Sequence, residues 1–245
     1  MNILDIITTH KKQHSPLLAV LIDPNKQNAY TSLLPYLDGV DLIFVGGSTG
    51  LSIEPCIASL RQHTQSPLIL FPGNIAQFSP NADALLFLSL LNARTADMLI
   101  TPHIKIAQQV ILSGIESIPM GYILVDGERK SSVEIVSNCH PIPQNDSEKI
   151  ISTALAGQLL GKQLIYLEAG SGAKKPVSID IIQAVHQRLQ VPLIVGGGIR
   201  TPQEMIQAFK AGADIVVIGN HFEQQPEELP TFIHTLSEYA TNSTR

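Results

Sequence analysis

Three observations predict a single (β/α)8 barrel over residues 1–245. Eight short apolar runs recur along the chain, separated by longer mixed segments. The 245 residues match the roughly 250 typical of such a barrel. Glycine and small polar residues cluster after the runs, whereas proline, glutamine and aspartate stand before them.

The runs fall at residues 17–22, 40–45, 68–71, 84–88, 121–125, 163–167, 193–195 and 214–218. They are apolar at consecutive rather than alternate positions. Strands buried on both faces read this way, which points to a parallel sheet covered by helices. Pro16, Pro67, Pro119 and Pro192 stand before four of the runs. Proline is tolerated at the first residue of a strand and not inside a central one, so these four mark the starts of strands 1, 3, 5 and 7. Helix-like stretches lie at 55–63, 101–113, 147–160, 179–189 and 202–211. Ser178 and Thr201 sit at N-cap positions, Pro202 at a first helical position, and Ser147 with Glu148 marks a further helix start. Eight βα units of about 30 residues each fill the chain, whereas a doubly wound sheet needs only about five or six strands. No Pro/Gly/Ser linker divides it. The longest irregular stretch, 126–144, follows strand 5 and reads as a functional βα loop.

Composition narrows the function. Apolar residues make up 44% and charged residues 15% of the chain, against roughly 25% charged in an average soluble protein, so the chain folds rather than staying disordered. The net charge of −5 argues against bulk nucleic-acid binding, which needs a basic face, and leaves room for a local anion pocket. Cys56 and Cys139 form no CxxC pair, which excludes a disulfide scaffold or zinc ribbon. They read as packing residues in a reducing compartment. Residues 1–12 carry no secretory signal. The most apolar stretch, 82–100, is broken by Asp83, Asn92, Arg94 and Asp97, so no membrane span is expected and the expected location is cytoplasmic. The eight histidines lack HxxxH spacing, and no GxSxG elbow, P-loop or GxGxxG opening is present.

In a barrel of this type chemistry gathers at the C-terminal strand ends. Glycines let backbone approach a ligand closely, and successive N–H groups form an anion nest. Gly196, Gly197 and Gly198 after strand 7 read alone as a tight βα turn. With Gly219 and Asn220 after strand 8, and Gly170, Ser171 and Gly172 after strand 6, they read as a phosphate site. Asp23, after strand 1, is either a turn residue, since Asp-Pro is turn chemistry, or a metal ligand paired with Ser48 after strand 2. Mg²⁺ is commonly held by one or two carboxylates plus substrate phosphate oxygens. Glu168 is either a structural carboxylate or a general base. Tyr166 either packs or donates its hydroxyl. Lys174 and Lys175 read as a solvated face or as a contact to a second anion.

The run Tyr166, Leu167, Glu168, Ala169, Gly170, Ser171, Gly172, followed by Val195 to Arg200 and by Val217 to Asn220, resembles the geranylgeranylglyceryl phosphate synthase and heptaprenylglyceryl phosphate synthase family. Leu21 to Lys26 and Val45 to Thr49 match that family's first two strand ends, and the likeness runs from about residue 17 to residue 222. The resemblance implies a modified TIM barrel and a prenyltransferase that joins sn-glycerol 1-phosphate to a long polyprenyl diphosphate through an ether bond, with Mg²⁺. Asp23 and Ser48 would then hold Mg²⁺. Residues 166–172 with Gly197, Gly198, Gly219 and Asn220 would hold glycerol 1-phosphate, and Glu168 would be the base. Some members carry a lysine two residues before the aspartate; here that position is Leu21, as in the other branch of the family. Residues 71–78 and 82–91 are candidates for a prenyl groove, and the donor is C20 or C35. The resemblance also implies a homo-oligomer and transient contact with a membrane surface. Two other readings share the glycine loops: another phosphate-binding barrel enzyme such as a phosphosugar isomerase, and a non-catalytic phosphate-metabolite binding protein.

Overall fold

The structure is a computed structural model that describes residues 2–47, 52–74 and 76–243. Eight parallel strands, β1 (Leu17–Ile22), β2 (Leu42–Val45), β3 (Leu68–Leu70), β4 (Ala84–Leu90), β5 (Glu116–Leu124), β6 (Leu164–Glu168), β7 (Leu193–Gly196) and β8 (Ile215–Ile218), pair in sequence order. β8 returns to β1 in the register Leu17↔Ile215 to Val20↔Ile218, closing the barrel. The helices are α1 (Ile3–Lys12), α2 (Gln27–Leu33), α3 (Glu54–Arg61), α4 (Ala96–Leu99), α5 (Thr101–Ser113), α6 (Ser132–Ser137), α7 (Ser147–Leu159), α8 (Ile179–His186), α9 (Pro202–Lys210), α10 (Asn220–Gln224) and α11 (Leu229–Ser243).

The continuous apolar runs are explained by two buried layers. Leu17, Ala19, Phe44, Met120 and Tyr166 face the barrel interior. Their neighbours Leu18, Val20, Ile43, Val45 and Leu167 face the helices. Successive side chains in a strand point to opposite faces, and here both faces are dry. The predicted caps form: Ser178 accepts from the Ile181 N–H, and Thr201 with Glu204 makes a capping box at α9. At α7 the cap is Asp146, one residue before the expected start, and its side chain accepts from the Lys149 N–H.

Two expectations are corrected. β5 begins at Glu116, so Pro119 lies inside it. The proline is tolerated because pairing with β6 begins only at Met120. Its carbonyl accepts from Gln163 N–H at 2.8 Å on that same flank, so the missing N–H removes no ladder bond. The third βα unit has no helix among the described residues: the connection from β3 to β4 carries Pro72, Gly73 and Pro80 and is irregular. The helical ring is open there, beside the half-buried Phe78 and Phe87.

The N-terminal strand ends are built for stability. Asp41, Asp83 and Asp214 each precede a strand and accept the N–H of Leu18, Leu68 and Leu193 on the neighbouring strand, at 2.8, 2.7 and 2.8 Å. α1 lies across this end and sends Ile3 and Ile7 into the interior core. Glu116 accepts the N–H groups of Ile3 and Leu4 at 2.5 and 2.9 Å, satisfying donors that a helix start leaves unpaired. Lys11 pairs with Asp214 at 2.9 Å. Among the described residues no helix is long and apolar enough to cross a membrane.

Candidate active site

Tyr166 and Glu168 share a face of β6 because they are two residues apart, and both point inward. Phe44, Phe71, Tyr122 and Tyr166 stack below the mouth, with ring centroids 6.1 Å apart for Phe44–Phe71, 5.7 Å for Phe71–Tyr166 and 5.2 Å for Tyr122–Tyr166. On this aromatic floor Glu168 is only 7% exposed. Its Oε1 accepts the Gly170 N–H at 2.7 Å. Burial raises its pKa above the usual carboxylate value, and the contacts from Tyr166 and Gly170 pull it part of the way back. Burial, then the Glu168 charge, pushes the Tyr166 hydroxyl well above its ordinary value.

The loop after β7 fits this pair only because it is glycine. A Cβ on Gly196 would lie 2.2 Å from the Tyr166 hydroxyl, and one on Gly197 would lie 2.4 Å from Glu168 Oε1 and 2.7 Å from the Gly170 nitrogen. Gly197 and Gly198 have φ of +82° and +79°, and Gly170 and Gly172 in the facing β6 loop have +99° and +72°. These left-handed turns are costly for other residues. Arg200 ties the two loops, donating to the carbonyls of Ala173 and Gly198. The Asn220 amide closes the ring from β8. Its oxygen accepts from the Gly172 N–H at 3.2 Å and the Ser171 hydroxyl at 2.9 Å, and its nitrogen donates to Glu223 at 3.3 Å. Gly219 packs on Leu21, where a Cβ would meet the Leu21 side chain at 3.3 Å.

The structure therefore brings Tyr166, Glu168, Gly170, Ser171, Gly172, Gly197, Gly198, Gly219 and Asn220 to one mouth. Leu167 and Ala169 belong to the outer core: Leu167 is paired inside β6, and the Ala169 N–H donates to the Gly196 carbonyl at 3.0 Å. Next around the barrel, where β1 pairs with β8, Asp23 stands over the end of β2: a Cβ on Gly47 would lie 2.3 Å from its Oδ1. That oxygen accepts from the Asn25 N–H at 3.0 Å and Asn25 Nδ2 at 2.8 Å. Ser48 lies outside the described residues. Lys175 pairs with Glu128 at 2.7 Å, both side chains exposed, which is the solvated arrangement. Cys56, 2% exposed, has its thiol pushed to about 12 by burial and by the Asp23 charge, so it is an inert packing residue.

Sequence reasoning missed Gln77. Its side chain is fully buried, and its Oε1 accepts from Gly47 N–H at 3.3 Å and Gly73 N–H at 2.9 Å, holding the ends of β2 and β3 together. It also missed Gln144, which links the loops after β5 and β6 by donating to the carbonyls of Asp126 and Pro176 at 2.8 and 3.1 Å. Neither stands in a motif or a periodic pattern, so no signal in a single sequence marks them.

Fold and mouth together define a (β/α)8-barrel protein built to seat a small anion over β6 to β8, beside a buried carboxylate. Comparison with known proteins agrees. A profile of the PcrB family matches residues 9–236. A geranylgeranylglyceryl phosphate synthase from Zunongwangia profunda is 48% identical over 226 residues, covering 90% of this chain and 97% of its own. One from Spirosoma linguale is 41% identical over 242 residues, covering 96% and 97%. The crystal structure of (S)-3-O-geranylgeranylglyceryl phosphate synthase from Thermoplasma acidophilum, in complex with sn-glycerol-1-phosphate, superposes with a TM-score of 0.88 at 33% identity, covering 97% and 99%. The N-acetylmannosamine-6-phosphate 2-epimerase of Clostridium perfringens, at 13% identity and a TM-score of 0.55, shares the barrel alone. The chain belongs to the PcrB family.

Proposed function

We propose that the protein is a prenyltransferase of the geranylgeranylglyceryl phosphate synthase type, which joins a long polyprenyl diphosphate to sn-glycerol 1-phosphate. The observation that carries this reading is the end-to-end likeness to the Thermoplasma acidophilum enzyme holding sn-glycerol-1-phosphate. The glycine mouth of β6 to β8 supports it. The phosphate would lie on the N–H groups of these loops, with Ser171 and Asn220 at its rim. That seat aims the free glycerol hydroxyl toward the allylic carbon of the donor, and such positioning is worth several powers of ten in rate. The hydroxyl oxygen forms the new C–O bond. The carbon–oxygen bond to diphosphate breaks with its electron pair going to the leaving group, and the hydroxyl proton passes to Glu168. A carboxylate held partly desolvated, with a raised pKa, is suited to accept it.

Asp23 fits one Mg²⁺ together with Ser48 and the donor's diphosphate, because this ion takes few protein carboxylates and many phosphate and water oxygens. Asn25 donates twice to Asp23 Oδ1, which would hold the carboxylate in place for the ion. When bound, Mg²⁺ would neutralise charge on the departing diphosphate. The opening left by the absent third helix, beside Phe78 and Phe87, is the proposed course of the prenyl chain. Ile104, Ile111 and Leu112 share one face of α5 and are exposed, which supports a homo-oligomer. The exposed Ile135 and Val136 of α6 support brief contact with a membrane surface in the cytoplasm, where a lipid donor would be met.

The test is incubation with sn-glycerol 1-phosphate, Mg²⁺ and prenyl diphosphates of different length, with ether-lipid product followed by mass. Product from one donor, lost with EDTA, establishes the reaction and the donor. Binding of glycerol phosphate with no product from any donor would favour the isomerase or binding-protein readings.

A further inference from the structure

Lys26 follows β1 in a turn closed by its own N–H on the Asp23 carbonyl at 3.0 Å. Its ammonium crosses to the end of β8 and pairs with Glu223 Oε2 at 2.6 Å. The Glu223 side chain is 11% exposed and the Lys26 side chain 44%. Glu223 Oε2 also takes the Asn220 amide N–H, and Asn220 holds Ser171 and Gly172. One polar chain thus runs from the β1 loop through Glu223 and Asn220 to the glycine turn after β6.

This arrangement poses an electrostatic problem. A largely enclosed carboxylate, Glu223, stands beside the loops assigned to a phosphate, and like charges a few ångströms apart disfavour each other. Lys26 cancels that charge. An ammonium has three N–H donors, and Glu223 uses one. Three other cations on these loops are directed elsewhere: Arg200 to the carbonyls of Ala173 and Gly198, Lys175 to Glu128, and Arg129 to the Gly172 carbonyl at 3.3 Å; Lys174 is exposed on the β6 loop. Leu21 meets Gly219 with its side chain and its carbonyl oxygen, and supplies no cation.

We infer that Lys26 is the side-chain cation of the phosphate seat: held by Glu223, it donates to the phosphate of sn-glycerol 1-phosphate. The inference rests on the substrate reading given above. It is tested by calorimetric titration of sn-glycerol 1-phosphate, without prenyl donor, into the wild type, Lys26→Gln, Lys26→Arg, Glu223→Gln and the Lys26→Gln/Glu223→Gln double variant. Lys26→Gln should bind at least about tenfold more weakly, the scale of one lost charge-assisted hydrogen bond. Lys26→Arg should recover most of the loss, and the double variant, relieved of the Glu223 charge, should recover only part of it. Unchanged binding by Lys26→Gln overturns the inference. So does a double variant restored to wild-type affinity, because Lys26 would then only neutralise Glu223. A wild type that does not bind sn-glycerol 1-phosphate overturns the substrate reading itself, and the inference with it.

Discussion

Gly197 stands against Glu168: a Cβ at position 197 would lie 2.4 Å from Oε1, on a residue whose φ is +82°. The buried carboxylate and the glycine turn are therefore one packed unit. Gly197→Ala should cost about 1–2 kcal/mol from the left-handed backbone alone, with displacement of Glu168 added to it. Urea unfolding should show the loss, and titration should show weakened sn-glycerol 1-phosphate binding. A variant with wild-type stability and affinity would mean that the turn relaxes freely.

Glu168→Gln keeps the shape of the side chain and removes the proton acceptor. Turnover should fall by about 10²- to 10⁴-fold, the usual worth of general-base help, while sn-glycerol 1-phosphate still binds. Normal turnover would remove Glu168 from proton transfer.

The pH dependence follows from the direction of the Glu168 shift. Burial raises its pKa in the folded protein, so the folded state holds the proton more tightly than the unfolded chain. The stability this confers is complete below the ordinary carboxylate pKa and is lost as pH rises through the raised folded value. Glu168→Gln should therefore become progressively more stable relative to the wild type as pH rises across that window, with no further change above it. Urea midpoints measured at a series of pH values check this. In the wild type, the acid limb of activity should lie above the ordinary carboxylate pKa, since the base must be ionised.

Gln77→Leu would leave the N–H groups of Gly47 and Gly73 without their acceptor in a partly buried site. Each unsatisfied donor costs about 1–3 kcal/mol, so thermal unfolding should move down by several degrees. Because Gly47 lies under Asp23, the same variant should also need more Mg²⁺. Retained stability would show that the two loop ends find other acceptors.

Asp23→Asn removes the one carboxylate at the ends of β1 and β2. The Mg²⁺ concentration for half-maximal turnover should rise at least about tenfold, with sn-glycerol 1-phosphate affinity unchanged when measured without metal. An unaltered Mg²⁺ requirement would place the ion elsewhere.

The strands were legible because a parallel barrel buries both faces, so β1 and β2 are written as unbroken apolar runs. The glycine mouth was legible because turns at φ near +80° admit few other residues. What stayed hidden depended on partners far apart in sequence. Nothing near Glu116 announces that it caps α1, and Gln77 looks like an ordinary polar loop residue until Gly47 and Gly73 fold onto it. Pro119 misled because the rule against proline in a central strand assumes neighbours on both flanks, and β5 starts before β6 does. The third unit makes its crossing without a helix among the described residues, as the gap between the runs at 68–71 and 84–88, shorter than any other, already suggested.

The bond from Glu116 to the backbone of Ile3 spans 113 residues. A chain emerging from the ribosome makes α1 first, yet its anchor arrives only with β5, almost half the sequence later. Ordering a loop of that length is entropically expensive until the intervening strands have paired. The floor of the barrel therefore closes late in folding. Nascent fragments ending before residue 116 should leave α1 undocked and open to protease, and protection of this helix should appear only once β5 has joined β4.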